Sequence, residues 1–408
     1  MEYFSFLEKF GSIPGLERVG ALLGEWGNPQ KKMKVVLVGG TNGKGSVTAM
    51  LSSVLREQGF GVGAFYSPHL LRFNERIVFN GKEIGDGEIR KYEGMVREWV
   101  DRGKVITYFE AVTASAYHYF AKKGAEYAVM EIGMGGRLDA ANIAEEALSV
   151  ITNISPEHTR WLGETEKEIA FEKAGIMKKG PAVTGAGIGL EVIEREARKR
   201  KLPLRVYGED FECNPLSVTS SGSVFDYSGE REYTGLGIPL IGKHQMKNAG
   251  LAVCGAEVLG CSEDAVRKGL GKAKMRGRLE VLSKEPLVVA DVAHNPAGAW
   301  VVRETVPLFG REKVTIVFGC MKDKDWKDMV KSLGEVASGF IFTKPGTERA
   351  EDPEKLAKEG RKYCPSSVVE EPGEAVKIAV EAEKEDGLII VTGSFYMMRE
   401  VYEALAKA

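Results

Sequence analysis

The sequence predicts an α/β protein of two domains. The first is a nucleotide-binding domain of the phosphate-loop type with a small β insertion, and the second is a C-terminal Rossmann-like α/β domain. Two observations carry this. Short apolar runs alternate with amphipathic stretches along most of the chain, the rhythm of strands and covering helices. Between one such run and a helical pattern stands the glycine-rich segment 39–45, where a phosphate-binding loop belongs.

Residues 34–38 read as a buried strand and 39–45 as a loop, followed by helical spacing at Val47, Met50, Leu51, Val54 and Leu55. A second strand is expected at 61–66. Residues 76–79, closed by Asn80-Gly81, have the pattern of a hairpin arm. An apolar-aromatic helix is predicted over 108–123, and buried strands over 127–132 and 148–154. Further helices are expected at 166–176, 190–200, 244–259 and 262–272. Residues 203–238 are rich in Ser, Gly, Tyr and Thr in short alternating runs, which predicts the antiparallel insertion. After Leu279 the βα rhythm restarts, with strands at 287–291, 314–319, 339–343, 367–369 and 388–392. The expected domains are 1–276 and 277–408, with the hinge near 274–280.

Composition narrows the function. Of 408 residues, 43% are hydrophobic and 28% charged, ordinary for a globular protein with an ample core. The net charge of −2 argues against bulk nucleic-acid or membrane binding, so an anionic substrate must meet locally placed cations. The 5 cysteines are odd in number and none lie in CxxC spacing. That favours buried thiols in a reducing, cytoplasmic setting over disulfides or a zinc site. Neither a signal peptide nor a membrane-spanning helix is expected.

The loop Gly39-Gly40-Thr41-Asn42-Gly43-Lys44-Gly45-Ser46 can aim backbone N–H groups and a helix N-terminus at phosphate oxygens. Lys44 then adds a full charge toward the β- and γ-phosphates. A tight turn alone would explain the glycines but not the lysine. The motif departs from the usual form: Val38 replaces the first glycine, and Gly45 sets Ser46 one residue late for direct metal ligation. A nucleotide-bound Mg²⁺ needs a few hard oxygen ligands, with water completing the shell. Three segments at strand ends offer candidates, around Ser67-Pro68-His69, Glu131, and Asn153 to His158. By themselves these are equally readable as strand-end carboxylates and hydrogen-bonded histidines.

Several motifs run in one order: the loop above, Ser67-Pro68-His69-Leu70, Asn74-Glu75-Arg76-Ile77, Thr107-Tyr108-Phe109-Glu110, and the stretch from Glu131 to Asp139. Then come His158-Thr159-Arg160-Trp161-Leu162-Gly163, Glu172-Lys173-Ala174-Gly175-Ile176, Gly277-Arg278-Leu279-Glu280, Asp291-Val292-Ala293-His294-Asn295-Pro296 and Gly393-Ser394-Phe395-Tyr396. Together they resemble the folylpolyglutamate synthase and dihydrofolate synthase family of the Mur ligase superfamily. Val292 stands where that family usually has Gly, and Ala141 where Thr is common.

The resemblance implies an ATP- and Mg²⁺-dependent ligase that joins L-glutamate to a pterin carboxylate through an acyl phosphate. It makes Thr41, Asn42, Gly43, Lys44, Gly45, Ser46 and Asn248 nucleotide contacts, with Arg278 and Asp291 approaching ATP from the second domain. Ser67 and Glu131 would hold the Mg²⁺, with His158 shared with that region. Lys173 matches a lysine that is carbamylated in the family, which would serve a second ion, and there is room for a monovalent cation. Lys44, His158, Lys173 and His294 fall among the catalytic groups. Ser394 and His294 would meet the incoming glutamate, while Tyr108, Phe109 and Arg76 would meet the acceptor. From the residues alone, Lys173 reads as a surface lysine and Tyr108 and Phe109 equally as helix core, while the Arg278 guanidinium suits bidentate pairing with phosphate and has a hinge ion pair as its alternative. The expected partners are small molecules, and the expected state is a monomer. Two other readings remain open: a peptidoglycan-type Mur ligase, for which about 35 residues before the loop strand are too few, and a nucleotide-binding module without chemistry.

Overall fold

The structure is a computed structural model that describes residues 2–383 and 387–406. Its chain divides into two compact units. One comprises Met1–Leu216, Val224–Pro239 and Gln245–Lys274, and the other Ser217–Ser223, Leu240–His244 and Met275–Ala408. A single cut near residue 276 would assign 217–223 and 240–244 to the first unit. They fall in the second because Val218 packs on its core and Ile241 is part of it.

The first unit is built on an eight-stranded sheet. Its strands are β1 (Lys34–Gly39), β2 (Val62–Phe65), β3 (Ile77–Phe79), β4 (Lys82–Glu83), β5 (Tyr127–Glu131), β6 (Glu146–Ile151), β7 (Ala182–Thr184) and β8 (Leu204–Val206). They lie in the order β4-β3-β2-β5-β1-β6-β7-β8. Pairing is parallel from β2 to β8, and antiparallel only for β3 and β4 at one edge. Helices cover both faces, so β1 and β5 read as unbroken apolar runs rather than alternating ones. Register then fixes the site. Val38 lies opposite Glu131 on one side of β1, and Gly39 opposite Ile151 on the other. Three strand ends thus meet at one edge of the sheet, where ligands collect in doubly wound folds.

The expected strands and helices of this unit are present within a few residues, with one correction. Residues 204–206 do not belong to an antiparallel insertion. They extend the main sheet as β8, parallel to β7 after the helix Leu190–Arg200. Three residues are too few to display a period, and the crossover helix marks the parallel partner. The insertion is the sheet of β9 (Glu212–Thr219), β10 (Gly222–Ser228) and β11 (Glu232–Ile238), in the order β11-β10-β9.

The second unit holds β12 (Glu280–Lys284), β13 (Leu287–Ala290), β14 (Val314–Phe318), β15 (Gly339–Phe342), β16 (Ser366–Val368) and β17 (Leu388–Thr392). Their order is β12-β13-β17-β14-β15-β16. All pair in parallel except β12, an antiparallel edge strand absent from the sequence-based expectation. Its half-exposed, mixed side chains show neither a buried run nor a clean alternation. No helix among the described residues is long and apolar enough to cross a membrane.

Close packing sets tolerances in this framework. A Cβ built on Gly63 of β2 would stand 2.4 Å from the ring of Phe120, which is fully buried on the helix Tyr108–Lys122. Gly63→Ala is therefore expected to lower the unfolding free energy by about 1–3 kcal/mol through overpacking. Urea unfolding measures this, and an unshifted midpoint would contradict the packing described.

Candidate active site

The glycine-rich loop is shaped by the segment that follows β6. Gly40 has φ +130°, and a Cβ there would lie 1.9 Å from Thr152 Oγ1. Only glycine allows that approach. Thr152 Oγ1 and Asn153 Nδ2 both donate to Asn42 O, at 2.6 and 2.9 Å, while Asn42 N donates to Asn153 Oδ1 at 3.0 Å. Thr41 N donates to Asn153 O at 2.9 Å, and Ser155 N to Thr41 Oγ1 at 3.0 Å. Gly43, at φ +88°, precedes the helix Lys44–Glu57 and lies against Asn248, whose Oδ1 would be 2.5 Å from a Cβ at that position. Asn248 is itself steadied by donating from Nδ2 to Gln245 Oε1 at 3.1 Å. Lys44 Nζ donates to Gly40 O at 2.9 Å and Thr41 O at 2.8 Å, so its charge lies over the loop. Ser46 is fully enclosed in the first turn of the helix.

Lys173 is not a surface lysine. The helix Glu166–Ala174 buries it to 1% exposure, with Nζ donating to Gly40 O at 2.9 Å and to Glu157 Oε1 at 2.5 Å. Burial pulls its pKa down to about 8, with Glu157 acting upward and Lys44 further downward. Burial pushes the Glu157 carboxyl up, but the charges of Lys44 and Lys173 outweigh this and hold it at about 2. The pair is ionised near neutrality. Glu157 belongs to the segment from Asn153 to His158 that offers metal-ligand candidates in the sequence, and nothing in that segment signals its pairing with Lys173.

Glu131 ends β5 and is almost enclosed, with Oε2 accepting Ser67 N at 3.0 Å. Beyond it the first unit opens a cavity of about 440 Å³, whose lining includes Ser67, Arg76, Tyr108, Phe109, Asp139 and His158. Five residues selected from sequence thus share one cavity. Tyr108 and Phe109 begin their helix behind the N-cap Thr107 and are half-buried, so they are not simply core. Arg76 Nε donates to His69 Nδ1 at 2.8 Å, and its guanidinium stands 5.5 Å from the Tyr108 ring centroid. Phe109 is fitted against Gly133, where a Cβ would come within 2.6 Å of its ring.

Two supports of this cavity escaped the sequence reading. Asp139 Oδ2 accepts Gly133 N and Met134 N, at 3.0 and 2.9 Å, and its Oδ1 accepts Ala141 N at 2.9 Å. Burial raises its pKa to about 6 against those amides and Lys44. Arg18 donates from Nε to Glu110 Oε2 at 3.1 Å and from Nη2 to Ile13 O at 2.5 Å, tying residues 11–15 to the cavity wall. Partners 92 positions apart leave no local signature.

Among the described residues, no group of three or more His, Cys, Asp or Glu side chains could hold a metal. A nucleotide-bound divalent ion does not need one, since it keeps water and phosphate oxygens in its shell. A carboxylate at Glu131, the hydroxyl of Ser67 and a loop that only glycines allow fit such an ion and its triphosphate.

In the second unit, Asp291 follows β13 and accepts Leu279 N at 3.0 Å and Ala293 N at 2.7 Å. Burial raises its pKa, partly offset by Arg278. Ser394 follows β17, is enclosed, and accepts Tyr396 N at 3.1 Å. Both side chains thus hold the turns beside them, a role invisible in the sequence. Arg278 and His294 flank the Phe395 ring, 5.4 and 5.5 Å from its centroid.

A braced phosphate loop, a buried lysine beside it, a strand-end carboxylate and an aromatic-walled cavity define the class as a nucleotide-dependent ligase. Residues 38–256 match the Mur ligase middle domain, and residues 277–395 the Mur ligase glutamate ligase domain. The chain is 35% identical to the dihydrofolate synthase/folylpolyglutamate synthase of Bacillus subtilis, over 97% of this chain and 96% of that protein. It is 32% identical to the Escherichia coli protein of the same name, over 99% and 94%. The crystal structure of folylpolyglutamate synthase from Thermotoga maritima superposes with a TM-score of 0.87 at 36% identity, covering 100% of this chain and 97% of that one. E. coli FolC in complex with DHPP and ADP gives 0.91 at 29% identity, covering 100% and 97%. The chain belongs to the dihydrofolate synthase/folylpolyglutamate synthase family of ATP-dependent Mur ligases.

The braced loop gives a direct expectation. Gly43→Ala forces a Cβ against Asn248 and strains a left-handed residue by about 1–3 kcal/mol. ADP affinity, read by calorimetry, should fall roughly tenfold to a hundredfold, with the circular dichroism spectrum unchanged. Wild-type affinity would show that the contact is not constraining.

Proposed function

We propose that the protein joins L-glutamate to a pterin carboxylate, either dihydropteroate or a folate that already bears glutamate. ATP is consumed through an acyl-phosphate intermediate, and ADP and phosphate are released. The observation that carries this reading is the junction of two sites in the first unit. Glu131 lies opposite the residue that leads into the phosphate loop, and its carboxylate binds the backbone of Ser67, which lines the aromatic cavity. Relatives solved with ADP and AMPPCP, with DHPP and ADP, or with Mn, AMPPNP and L-glutamate support the same choice of ligands.

A carboxylate resists attack by an amine because it is anionic and a poor electrophile. Transfer of the γ-phosphoryl group to one of its oxygens gives a mixed anhydride, and the glutamate amine then displaces phosphate to form the amide. In this reading the loop amides from Thr41 to Ser46 and the Lys44 ammonium bind the phosphates and offset charge that spreads over the transferred group. Asn248 fixes the loop and meets the nucleotide. Ser67 and Glu131 would hold the Mg²⁺, with His158 beside them, and a bound ion would supply Lewis-acid stabilisation of the phosphoryl charge. Tyr108, Phe109 and Arg76 position the acceptor by stacking and charge. Arg278 takes phosphate oxygens, Asp291 orders the turn next to it, and His294 and Ser394 serve the glutamate.

Lys173 is assigned as the carbamylated lysine. With a pKa of about 8, roughly a tenth of it is neutral at pH 7, against about one part in three thousand for an ordinary lysine. The neutral amine adds CO₂ and releases a proton, and the carbamate offers two oxygens to a second ion or a monovalent cation.

Phosphate release should require ATP, Mg²⁺, L-glutamate and a pterin carboxylate together. Lys44→Ala or Glu131→Ala should lower kcat/KM at least about a hundredfold, and unimpaired variants would refute those roles. Neutral Lys173 becomes commoner as pH rises, so activity at fixed dissolved CO₂ should increase between about pH 7 and 9. CO₂ removal should lower activity and bicarbonate restore it, a response that Lys173→Arg should abolish. Activity indifferent to CO₂ would remove the carbamate from the mechanism.

A further inference from the structure

We propose that a groove adjoining the acceptor cavity, lined by Trp161, Lys167, Phe171 and Arg195, is a subsite for glutamyl-extended acceptors and sets how many glutamates are added. This deepens the ligase reading above and rests on it.

The groove has about 440 Å³ of its own and shares Trp161, Leu162 and Glu172 with the acceptor cavity, so the two adjoin across these side chains. An apolar rim crosses from one to the other. Ile13, Leu138 and Trp161 on the cavity and Phe171 in the groove are all large hydrophobic side chains left exposed. Contiguous exposed apolar surface of this kind marks a binding site. Two cations stand over the groove. Lys167 and Arg195 are 76% and 63% exposed, and their nearest acids, Glu191 and Glu196, are 3.8 and 3.7 Å away. Exposed pairs at such distances contribute little and exchange readily for a ligand carboxylate. The acids of the groove are already engaged. Glu168 accepts Glu164 N, Thr165 N and Thr165 Oγ1, at 3.0, 2.9 and 2.9 Å, and Glu172 binds the Arg137 guanidinium at 2.8 Å. The groove therefore presents the exposed Trp161 and Phe171, the latter with the Arg137 guanidinium 5.9 Å from its ring centroid, and two exposed cations against the single carboxylate of Glu168 that has no cation paired to it among the described residues.

That is the chemistry of the overhanging part of a lengthened acceptor. The reacting carboxylate has one address, beside the phosphate loop. Each round inserts one more residue behind that carboxylate, so the older part of the molecule must move outward by one unit. A cavity of fixed size cannot hold every member of the series. The groove receives the excess, stacking the aryl portion on Trp161 and Phe171. Each added unit brings one carboxylate besides the reacting one, and these pair with Lys167 and Arg195.

The test compares wild type with a Lys167→Glu/Arg195→Glu variant on dihydropteroate and on pteroylglutamates with one to three glutamates. Dissociation constants in the presence of ADP and kcat/KM are measured for each. With dihydropteroate, the variant should match wild type within about twofold. With the triglutamate, both quantities should worsen about tenfold, and the product ladder should stop earlier. Phe171→Ala provides a second variant without charge reversal and should show the same dependence on length. An effect equal for all lengths, or none at the triglutamate, overturns the proposal. Should no acceptor turn over, the ligase reading fails, and the dissociation constants still decide the groove.

Discussion

The site depends on one clamp, the peptide of Asn42 held by Thr152 and Asn153. It joins the loop after β1 to the segment after β6, and both ends of that segment matter. At its start it shapes the loop through contact with Gly40. At its far end it delivers Glu157 to Lys173 and His158 to the acceptor cavity. Lys44 and Lys173 both donate to the carbonyl of Gly40, the residue that Thr152 fixes in place. Loosening the clamp would therefore disturb phosphate binding, the lysine pair and the cavity wall at once.

Electrostatics around that clamp follow from enclosure more than from net charge. The chain is nearly neutral, yet two ammonium groups and a carboxylate are packed against one backbone turn. Desolvation weakens the proton affinity of Lys173, while Glu157 stays ionised only because cations flank it. Each group has the protonation its neighbours permit, which is how a fold brings a lysine toward reactivity at neutral pH.

Much of this was legible in the sequence, and the boundary has physical causes. Strands β1 and β5 and the helix Lys44–Glu57 announce themselves by periodicity, and the loop by its glycines and Lys44. Ser67, Arg76, Tyr108, Phe109 and His158 could be selected because they belong to contiguous motifs, and the fold gathers them on one cavity. The ion pair of Lys173 with Glu157 was not legible, because it depends on which face of a short helix is buried. The tie from Arg18 to Glu110 spans distant parts of the chain. Strands β8 and β12 are too short or too mixed to show a period, and their membership is decided by neighbours. Asp139, Asp291 and Ser394 are polar residues whose structural task, accepting backbone amides, looks from sequence like any other site residue.

The bracing of the phosphate loop also limits where movement can occur. A cradle already assembled loses little chain entropy when a nucleotide arrives, which favours tight capture. The same stiffness means that it cannot yield to let products go. The wall of the acceptor cavity is held differently: the stretch from Gly11 to Gly15 has a positive-φ glycine at each end and a partly exposed Ile13, and the side chain of Arg18 is one of its anchors.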